Sequence, residues 1–170
     1  GLHPENIGAF SFDGEGTPTQ NINLIINGVL TNLLHSEATA RKFDVMPTGH
    51  AGLGAKVSVS PDWLVISKSE SETDKEETLS IKNAKDEYIL IDELSAIHSG
   101  VKASQGSFSL PFDGWIVNNG EKISIEAATV AGDILKVLKS IVKIEKEQIV
   151  THQGISPHVW VENMSITGEA

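Results

Sequence analysis

Histidines and carboxylates are the side chains that could carry chemistry here, because the chain of 170 residues has no cysteine. A metal site would therefore have to combine imidazole and carboxylate ligands, several of which must come together. His152 and His158 flank residues 153–157 and would converge across a turn, but single structural or surface roles are commoner. We predict no metal ligand in this chain. The six histidines are His3, His35, His50, His98, His152 and His158.

Two acidic stretches contain possible metal ligands, but their patterns do not support a metal site. Asp13 and Glu15 lie in the sequence FDGEG (residues 12–16), which is similar to a truncated calcium loop but lacks its later acidic positions and terminal glutamate. We expect both residues to form turns. Residues 67–77 are polar and strongly acidic, which is typical of an exposed connection rather than a site.

Common catalytic signatures are absent from the sequence. It has no G-x-S-x-G nucleophile elbow, no G-x-x-x-x-G-K-[ST] phosphate loop and no H-E-x-x-H zinc helix. The sequence Gly52-Leu53-Gly54 lacks the third glycine of a dinucleotide fingerprint and predicts a loop. We therefore assign no catalytic residue to this chain.

Charge and hydropathy exclude two classes of partner. The protein has 23 acidic and 13 basic residues, a formal charge of −10, whereas nucleic-acid binding depends on lysine and arginine displacing counterions. We expect no direct nucleic-acid binding. No window approaches the run of about 20 apolar residues that a membrane span needs. The first residues do not begin with Met and lack a secretory signal, so we expect a cytoplasmic protein and a sequence that is a fragment of a longer one.

The elements that must position any site begin with two hairpins. Apolar residues surround Asn27-Gly28 and again Asn119-Gly120, and an Asn-Gly pair accepts the positive φ of a two-residue hairpin turn. The strands run over 24–30 and 115–125. The similarity of the two units fits either an internal duplication or convergence.

The remaining pattern predicts an α+β fold, mostly antiparallel β-sheet, twisted or barrel-like, with two covering helices. Ser36 to Phe43 predicts a short helix capped by Ser36, and Gly132 to Ile144 predicts an amphipathic packing helix. The length suits one domain spanning residues 1–170. Further strands are predicted at Lys56 to Val59, Trp63 to Ile66, Tyr88 to Ile91, His158 to Val161 and Met164 to Ile166.

An ordered series of short segments is more specific than any single motif. The segments are FDGEGTPTQ (12–20), LIINGVLTNLL (24–34), ARK (40–42), PTG (47–49), GSFS (106–109), WIVNNG (115–120), TVAGD (129–133) and residues 161–168. Together they resemble the C-terminal domain of the TldD/PmbA family, whose members have been called modulators of DNA gyrase. The resemblance covers nearly the whole chain.

The resemblance implies a zinc metallopeptidase family that processes peptides. Its catalytic members carry an H-E-x-x-x-H helix before the D-x-E-G loop and a zinc-binding cysteine near the C-terminus. This chain has neither, so it looks most like the PmbA/TldE-like subunit that pairs with a zinc-bearing TldD subunit. We expect a non-catalytic chain with no cofactor of its own, zinc being held only by the partner subunit. It would contribute a partner interface and part of the wall of a peptide channel.

The resemblance also implies a substrate contact at Gly49 and His50, because family members place this loop near the cleft. The partner would be a TldD-like subunit or, in a homo-oligomer, a second copy of the chain, and the substrate a peptide. Two other function classes stay open. The protein could be a stand-alone β-rich binding or scaffold module, or it could hydrolyse peptides by itself, so whether it is an enzyme is not decided by its sequence.

Overall fold

The computed structural model describes residues 2–68 and 87–168 of the chain. These residues belong to two compact units. The first unit comprises Gly1–Ser69 and Glu145–His158, and the second comprises Glu70–Ile144 and Val159–Ala170. The acidic stretch predicted at 67–77 lies almost entirely outside the described residues.

The first unit is built from short elements joined by long loops. Asn27 and Gly28 have φ of 51° and 77°, which confirms the predicted two-residue turn between the first two strands. The helix is capped as predicted, because the Ser36 hydroxyl accepts a hydrogen bond from the Thr39 N–H at 3.3 Å. The elements are β1 (Ile25–Ile26), β2 (Val29–Leu30), α1 (Glu37–Phe43), β3 (Ala51–Gly52), β4 (Ser58–Val59) and β5 (Leu64–Val65).

The second unit contains one antiparallel sheet of five strands. Its strands are β6 (Glu87–Leu94), β7 (Val101–Lys102), β8 (Ser107–Asn118), β9 (Glu121–Asp133) and β12 (Ser165–Thr167). The order is β12-β9-β8-β6, and β7 also pairs with β8. Within the described residues the sheet is therefore open rather than closed into a barrel. The hairpin turn at Asn119 and Gly120, with φ of 48° and 86°, is the second turn that the sequence predicts.

The hydrophobic core of the second unit lies on one face of the β8–β9 hairpin. Phe112 is 1% exposed and is the largest fully buried side chain among the described residues. Alternation places the opposed pairs Leu110–Val130 and Phe112–Ala128 on the same side of the sheet, and the register shift between Phe112 and Gly114 adds Ile125 to that side. Its buried members are Leu110, Phe112, Ile125, Ala128 and Val130.

The fold class is the predicted one, mostly antiparallel β with short helices, but the second predicted helix is too long. Helix α3 covers only Ile134–Lys139, and the backbone then enters strand β10 (Ile141–Thr151). The Asp133 carboxylate caps α3 by accepting from the Leu135 N–H at 2.9 Å. The β-branched residues that follow favour a strand, although their apolar spacing also fits a helix. No residue of α3 is buried, so the expected packing role is not seen among the described residues.

Two further elements complete the described chain. Helix α2 is a single turn at Ile97–Gly100, and strand β11 spans Gly154–Val161. Strand β11 lies between β10 and β5 and pairs with β5 in parallel, with Gly154 opposite Leu64 and Ile155 opposite Val65. No helix in residues 2–68 and 87–168 is both long enough and apolar enough to cross a bilayer.

Candidate functional site

All of the buried polar or charged residues in the described part of the chain come from three neighbouring segments of the first unit. They lie in the DGEGTPT loop (residues 13–19), at the cap of α1 and in the PTGHAG loop (residues 47–52). Burying polar groups costs free energy unless they are hydrogen-bonded, so we expect the residues of this cluster to be held by specific hydrogen bonds. The residues are Thr17, Thr19, Ser36, Thr48 and His50.

Asp13 holds the two loops together through its carboxylate. One oxygen, Oδ1, accepts from the backbone N–H groups of Glu15 at 3.0 Å and Thr17 at 2.9 Å. The other, Oδ2, accepts from the Ala51 N–H at 2.9 Å. The Gly14 N–H also donates to the Ala51 carbonyl at 2.7 Å. The turn-forming role predicted for Asp13 is thus confirmed, and the carboxylate also ties the turn to the PTGHAG loop.

These contacts shift the ionisation of Asp13. Burial alone would raise its pKa, because desolvation disfavours the charged form. The N–H groups of Ala51, Thr17 and Glu15 outweigh that effect, and the nearby His50 ring adds to them. The pKa of Asp13 is therefore lowered, and the carboxylate stays ionised at neutral pH.

Glu15 connects the same loop to α1. Its Oε2 accepts a hydrogen bond from the Glu37 N–H at 2.8 Å. This N–H belongs to the first residue of the helix, where backbone donors lack a partner inside the helix and negative charge is favoured. Glu15 is therefore more than a turn former, since it fixes the position of α1 relative to the DGEGTPT loop.

Thr48 connects the PTGHAG loop to the residue before the cap of α1. Its hydroxyl accepts from the His35 N–H at 2.9 Å and donates to the His35 carbonyl at 3.2 Å. The Nδ1 atom of His35 is buried and has no hydrogen-bond partner among the described residues. The His35 ring packs against Phe43, with 5.8 Å between ring centroids.

Gly49 and His50, the predicted substrate-binding residues, lie in the middle of this cluster. Gly49 has φ of 69°, and a Cβ built there would lie 2.2 Å from the Pro18 carbonyl oxygen, so only glycine fits. The His50 side chain is buried, and its Nδ1 lies 2.7 Å from the Thr48 carbonyl oxygen. Because a carbonyl can only accept, Nδ1 carries the proton and, in the neutral ring, Nε2 is an acceptor. The contact of these two residues with a substrate stays a prediction.

His3 lies outside this cluster. His3 packs on Trp63, with 4.8 Å between ring centroids, and the Trp63 Nε1–H donates to the Thr151 carbonyl at 3.2 Å. In the described part of the chain, no three histidine, aspartate or glutamate side chains are grouped so that they could hold a metal ion. The pair His152 and His158 therefore gains no third ligand there.

An open groove of about 560 Å³ lies beside the cluster, and sequence reasoning missed it. Its apolar wall contains Leu30, Leu33, Val45 and Met46, and the last of these is 80% exposed. The remaining wall is mostly polar, with His35 and Thr48 shared with the cluster. The sequence does contain a signal for the groove, because the apolar residues Leu33, Val45 and Met46 lie outside the predicted strands and the predicted helix. The full lining is Gln20, Ile22, Leu30, Thr31, Asn32, Leu33, His35, Val45, Met46, Pro47 and Thr48.

The chain is thus a β-rich domain in which the DGEGTPT and PTGHAG loops are joined by hydrogen bonds and enclose buried polar side chains. Residues 1–168 match the family model described as the PmbA/TldA metallopeptidase C-terminal domain. The chain belongs to this family, which confirms the resemblance that its sequence predicts.

Curated relatives carry the same family name. The metalloprotease PmbA of Escherichia coli O157:H7 is 28% identical over 175 residues, which cover 98% of this chain and 35% of that protein. The metalloprotease PmbA homolog of Buchnera aphidicola is 26% identical over 158 residues, or 92% of this chain and 32% of that protein. The chain therefore spans about a third of the length of these relatives.

Two solved structures share the fold. A Thermotoga maritima protein described as a modulator of a DNA gyrase is 32% identical, with a TM-score of 0.74 over 97% of this chain and 37% of that one. TldE from Thermococcus kodakarensis is 24% identical, with a TM-score of 0.75 over 98% of this chain and 38% of that one. At that identity the second likeness establishes the fold alone.

Proposed function

We propose that this chain is the C-terminal domain of a PmbA/TldE-like subunit in a TldD-type zinc metallopeptidase complex. It binds a zinc-bearing TldD-like subunit and forms part of the wall of a peptide channel, without cleaving peptides itself. The observation that carries this proposal is the exposed apolar groove wall in the first unit. Leu30, Leu33 and Val45 are 62%, 59% and 47% exposed, a costly arrangement in water unless another surface covers it.

The side chains that could bind zinc in this chain support a non-catalytic role. The resemblance implies a zinc-binding cysteine near the C-terminus of catalytic members, and this chain has no cysteine. The described residues also bring no three imidazole or carboxylate ligands together, so they do not fit zinc as a resident metal. We therefore place the metal, and the hydrolytic step, in the partner subunit.

The Gly49–His50 loop is the substrate contact in this proposal. Its backbone is held by Asp13 and by the close approach of Gly49 to Pro18, so the ring of His50 has a fixed position. The proton on Nδ1 is engaged by Thr48, which leaves Nε2 of the neutral ring to accept a hydrogen bond from a peptide N–H. Fixed polar groups of this kind favour one orientation of a bound peptide.

Co-expression with a zinc-bearing TldD-like subunit tests the proposal. We expect the two proteins to copurify and casein or peptide hydrolysis to appear only when both are present. Met46→Glu should weaken copurification by about tenfold or more, because a buried unpaired charge costs several kcal/mol. His50→Asn should leave copurification unchanged, because the asparagine amide can still donate to the Thr48 carbonyl. It should lower hydrolysis, because asparagine has no counterpart of the Nε2 acceptor.

A matched control and contrary outcomes complete this experiment. Ile123→Glu changes a residue that is 59% exposed on β9 in the second unit, and we expect no effect on copurification. Hydrolysis by the purified chain alone would contradict the non-catalytic role. Two subunits that never associate would contradict the complex. The same proposal locates the protein in the cytoplasm, which cell fractionation tests.

The second candidate function is a stand-alone β-rich binding or scaffold module. The groove favours it, because its volume lies in the range of small-molecule sites and its wall mixes apolar and polar side chains. A ligand bound by the purified chain and lost with Met46→Glu, with no association with a TldD-like subunit, would support this function instead.

A further inference from the structure

The two Asn-Gly turns have closely similar φ angles. Asn27 and Gly28 have φ of 51° and 77°, and Asn119 and Gly120 have φ of 48° and 86°. Neither glycine would meet another atom within 4 Å if a Cβ were added, so both turns are sterically open. Any difference in their chemistry must come from what holds each turn in place.

The strands around the two turns differ greatly in length. Asn27 joins strands of two residues each, which pair only with one another in a two-stranded sheet. Asn119 joins strands of 12 and 13 residues, and its neighbour Asn118 also pairs with Glu87 of β6. Local opening costs less where few backbone hydrogen bonds and few buried contacts hold a segment. The Thr31 N–H extends the hairpin by donating to the Leu24 carbonyl at 2.8 Å, but the pairing stays much shorter than that of β8 and β9. We therefore expect the turn at Asn27 to open more often.

The side-chain amides of the two asparagines also differ. The Asn119 Nδ2 donates a hydrogen bond to the Asn118 Oδ1 at 3.0 Å, which restrains the carboxamide. Among the hydrogen bonds of the described residues, none restrains the Asn27 carboxamide. Asn27 and Gly28 are both exposed to solvent.

We propose that Asn27 is a site of spontaneous deamidation and that Asn119 is protected from it. When the turn opens, the Gly28 nitrogen bonds to Cγ of Asn27, its proton passes through solvent to Nδ2, and the bond between Cγ and Nδ2 breaks to release ammonia. The product is a succinimide ring. Water then opens either carbonyl of the ring and yields aspartate or isoaspartate at position 27. Glycine favours this step because it has no side chain to hinder the attacking nitrogen.

The products alter the β1–β2 hairpin in two ways. Both add a negative charge beside Ile26 and Val29, which are 45% and 62% exposed. Isoaspartate also adds a methylene to the main chain, which no longer fits the two-residue turn that sets the register of Ile26 against Val29. Deamidation therefore loosens the hairpin that carries Leu30 into the groove wall.

Peptide mapping by mass spectrometry tests the proposal on the purified protein, aged in mildly alkaline buffer. We expect Asn27 to deamidate about tenfold faster than Asn119, which corresponds to about 1.4 kcal/mol of difference in opening free energy. The same ageing in denaturant is the internal control, because both Asn-Gly sequences then react without structure and their rates should approach each other. Asn27→Gln should leave residue 27 unmodified over the same period.

The contrary results are equally definite. Deamidation of Asn119 in the folded protein as fast as that of Asn27 would overturn the proposal. So would an Asn27 that stays intact in the folded protein while both asparagines react in denaturant. A rate difference that persists unchanged in denaturant would also overturn it, because the neighbouring residues rather than the fold would then be its cause.

Discussion

At the scale of single residues, Asp13 organises the candidate site. Its two carboxylate oxygens accept three backbone hydrogen bonds from two loops, and Ala51 lies 38 positions away along the chain. A neutral side chain of the same shape cannot make all three, because an amide offers one acceptor oxygen and a donor in place of the other. Asp13 therefore links the ordering of the loops to its own charge.

We predict that Asp13→Asn lowers stability at neutral pH, and that this difference shrinks in acid. The folded-state pKa of Asp13 is below its ordinary value, so its contribution is complete above the unfolded pKa of about 3.9 and is lost as pH falls through the folded-state pKa. Because the side chain is partly exposed, we expect about 1–2 kcal/mol at pH 7. Urea unfolding of both proteins across this pH range measures it.

Asp62→Asn is the matched control for that series. Asp62 is exposed in the same unit, and its carboxylate accepts no hydrogen bond from the described residues. Its substitution should change stability by no more than about 0.5 kcal/mol. A difference between wild type and Asp13→Asn that does not narrow in acid would show that the carboxylate charge is not what holds the loops.

At the scale of elements, the features that the sequence predicts well are those set by neighbouring residues. Both hairpin turns follow from an Asn-Gly pair that tolerates positive φ, and α1 follows from Ser36 before a helix-forming run. The predicted end of α3 was wrong because residues 134–144 have an apolar spacing that fits both helix and strand. The β-branched residues Ile141, Val142 and Ile144 favour a strand, and pairing with β11, which begins after two intervening residues, stabilises it.

In the candidate site too, the features set by neighbouring residues could be predicted from the sequence and the contacts between separate segments could not. The turn at Asp13 could be predicted, because aspartate followed by glycine forms turns by local hydrogen bonds. Its contact with Ala51, the contact of Glu15 with Glu37 and the contact of Thr48 with His35 join segments that are apart in the chain. Such contacts leave no periodic signal. Gly49 and His50 could be assigned to a site only through the resemblance to a family.

We predict that Phe112→Ala strongly destabilises the β8–β9 hairpin. Phe112 is 1% exposed in the core of the second unit, and truncating a buried phenylalanine costs about 3–5 kcal/mol through lost burial and the cavity left behind. Ile123→Ala on β9 removes a side chain that is 59% exposed and should cost much less. Urea unfolding followed by tryptophan fluorescence compares them, and equal costs would contradict the assignment of the core.

At the scale of the whole molecule, the charge of −10 argues against a direct role on DNA, although one structural neighbour is described as a modulator of a DNA gyrase. We predict that any binding of the protein to duplex DNA at physiological salt is weaker than a Kd of about 10⁻⁴ M. Fluorescence anisotropy with a labelled duplex measures this. Micromolar binding that falls steeply with added salt would contradict it.

The division of the chain between its two units constrains how the protein is made. Each unit takes a long earlier segment and a short later one, and Glu145–His158 belongs with Gly1–Ser69. Strand β5 therefore emerges from the ribosome well before its parallel partner β11 exists. The first unit cannot finish folding as the nascent polypeptide passes residue 69, and it is complete only after residues 145–158 have been synthesised. Stalled or prematurely terminated products would accordingly expose the edge of β5 to chaperones and proteases.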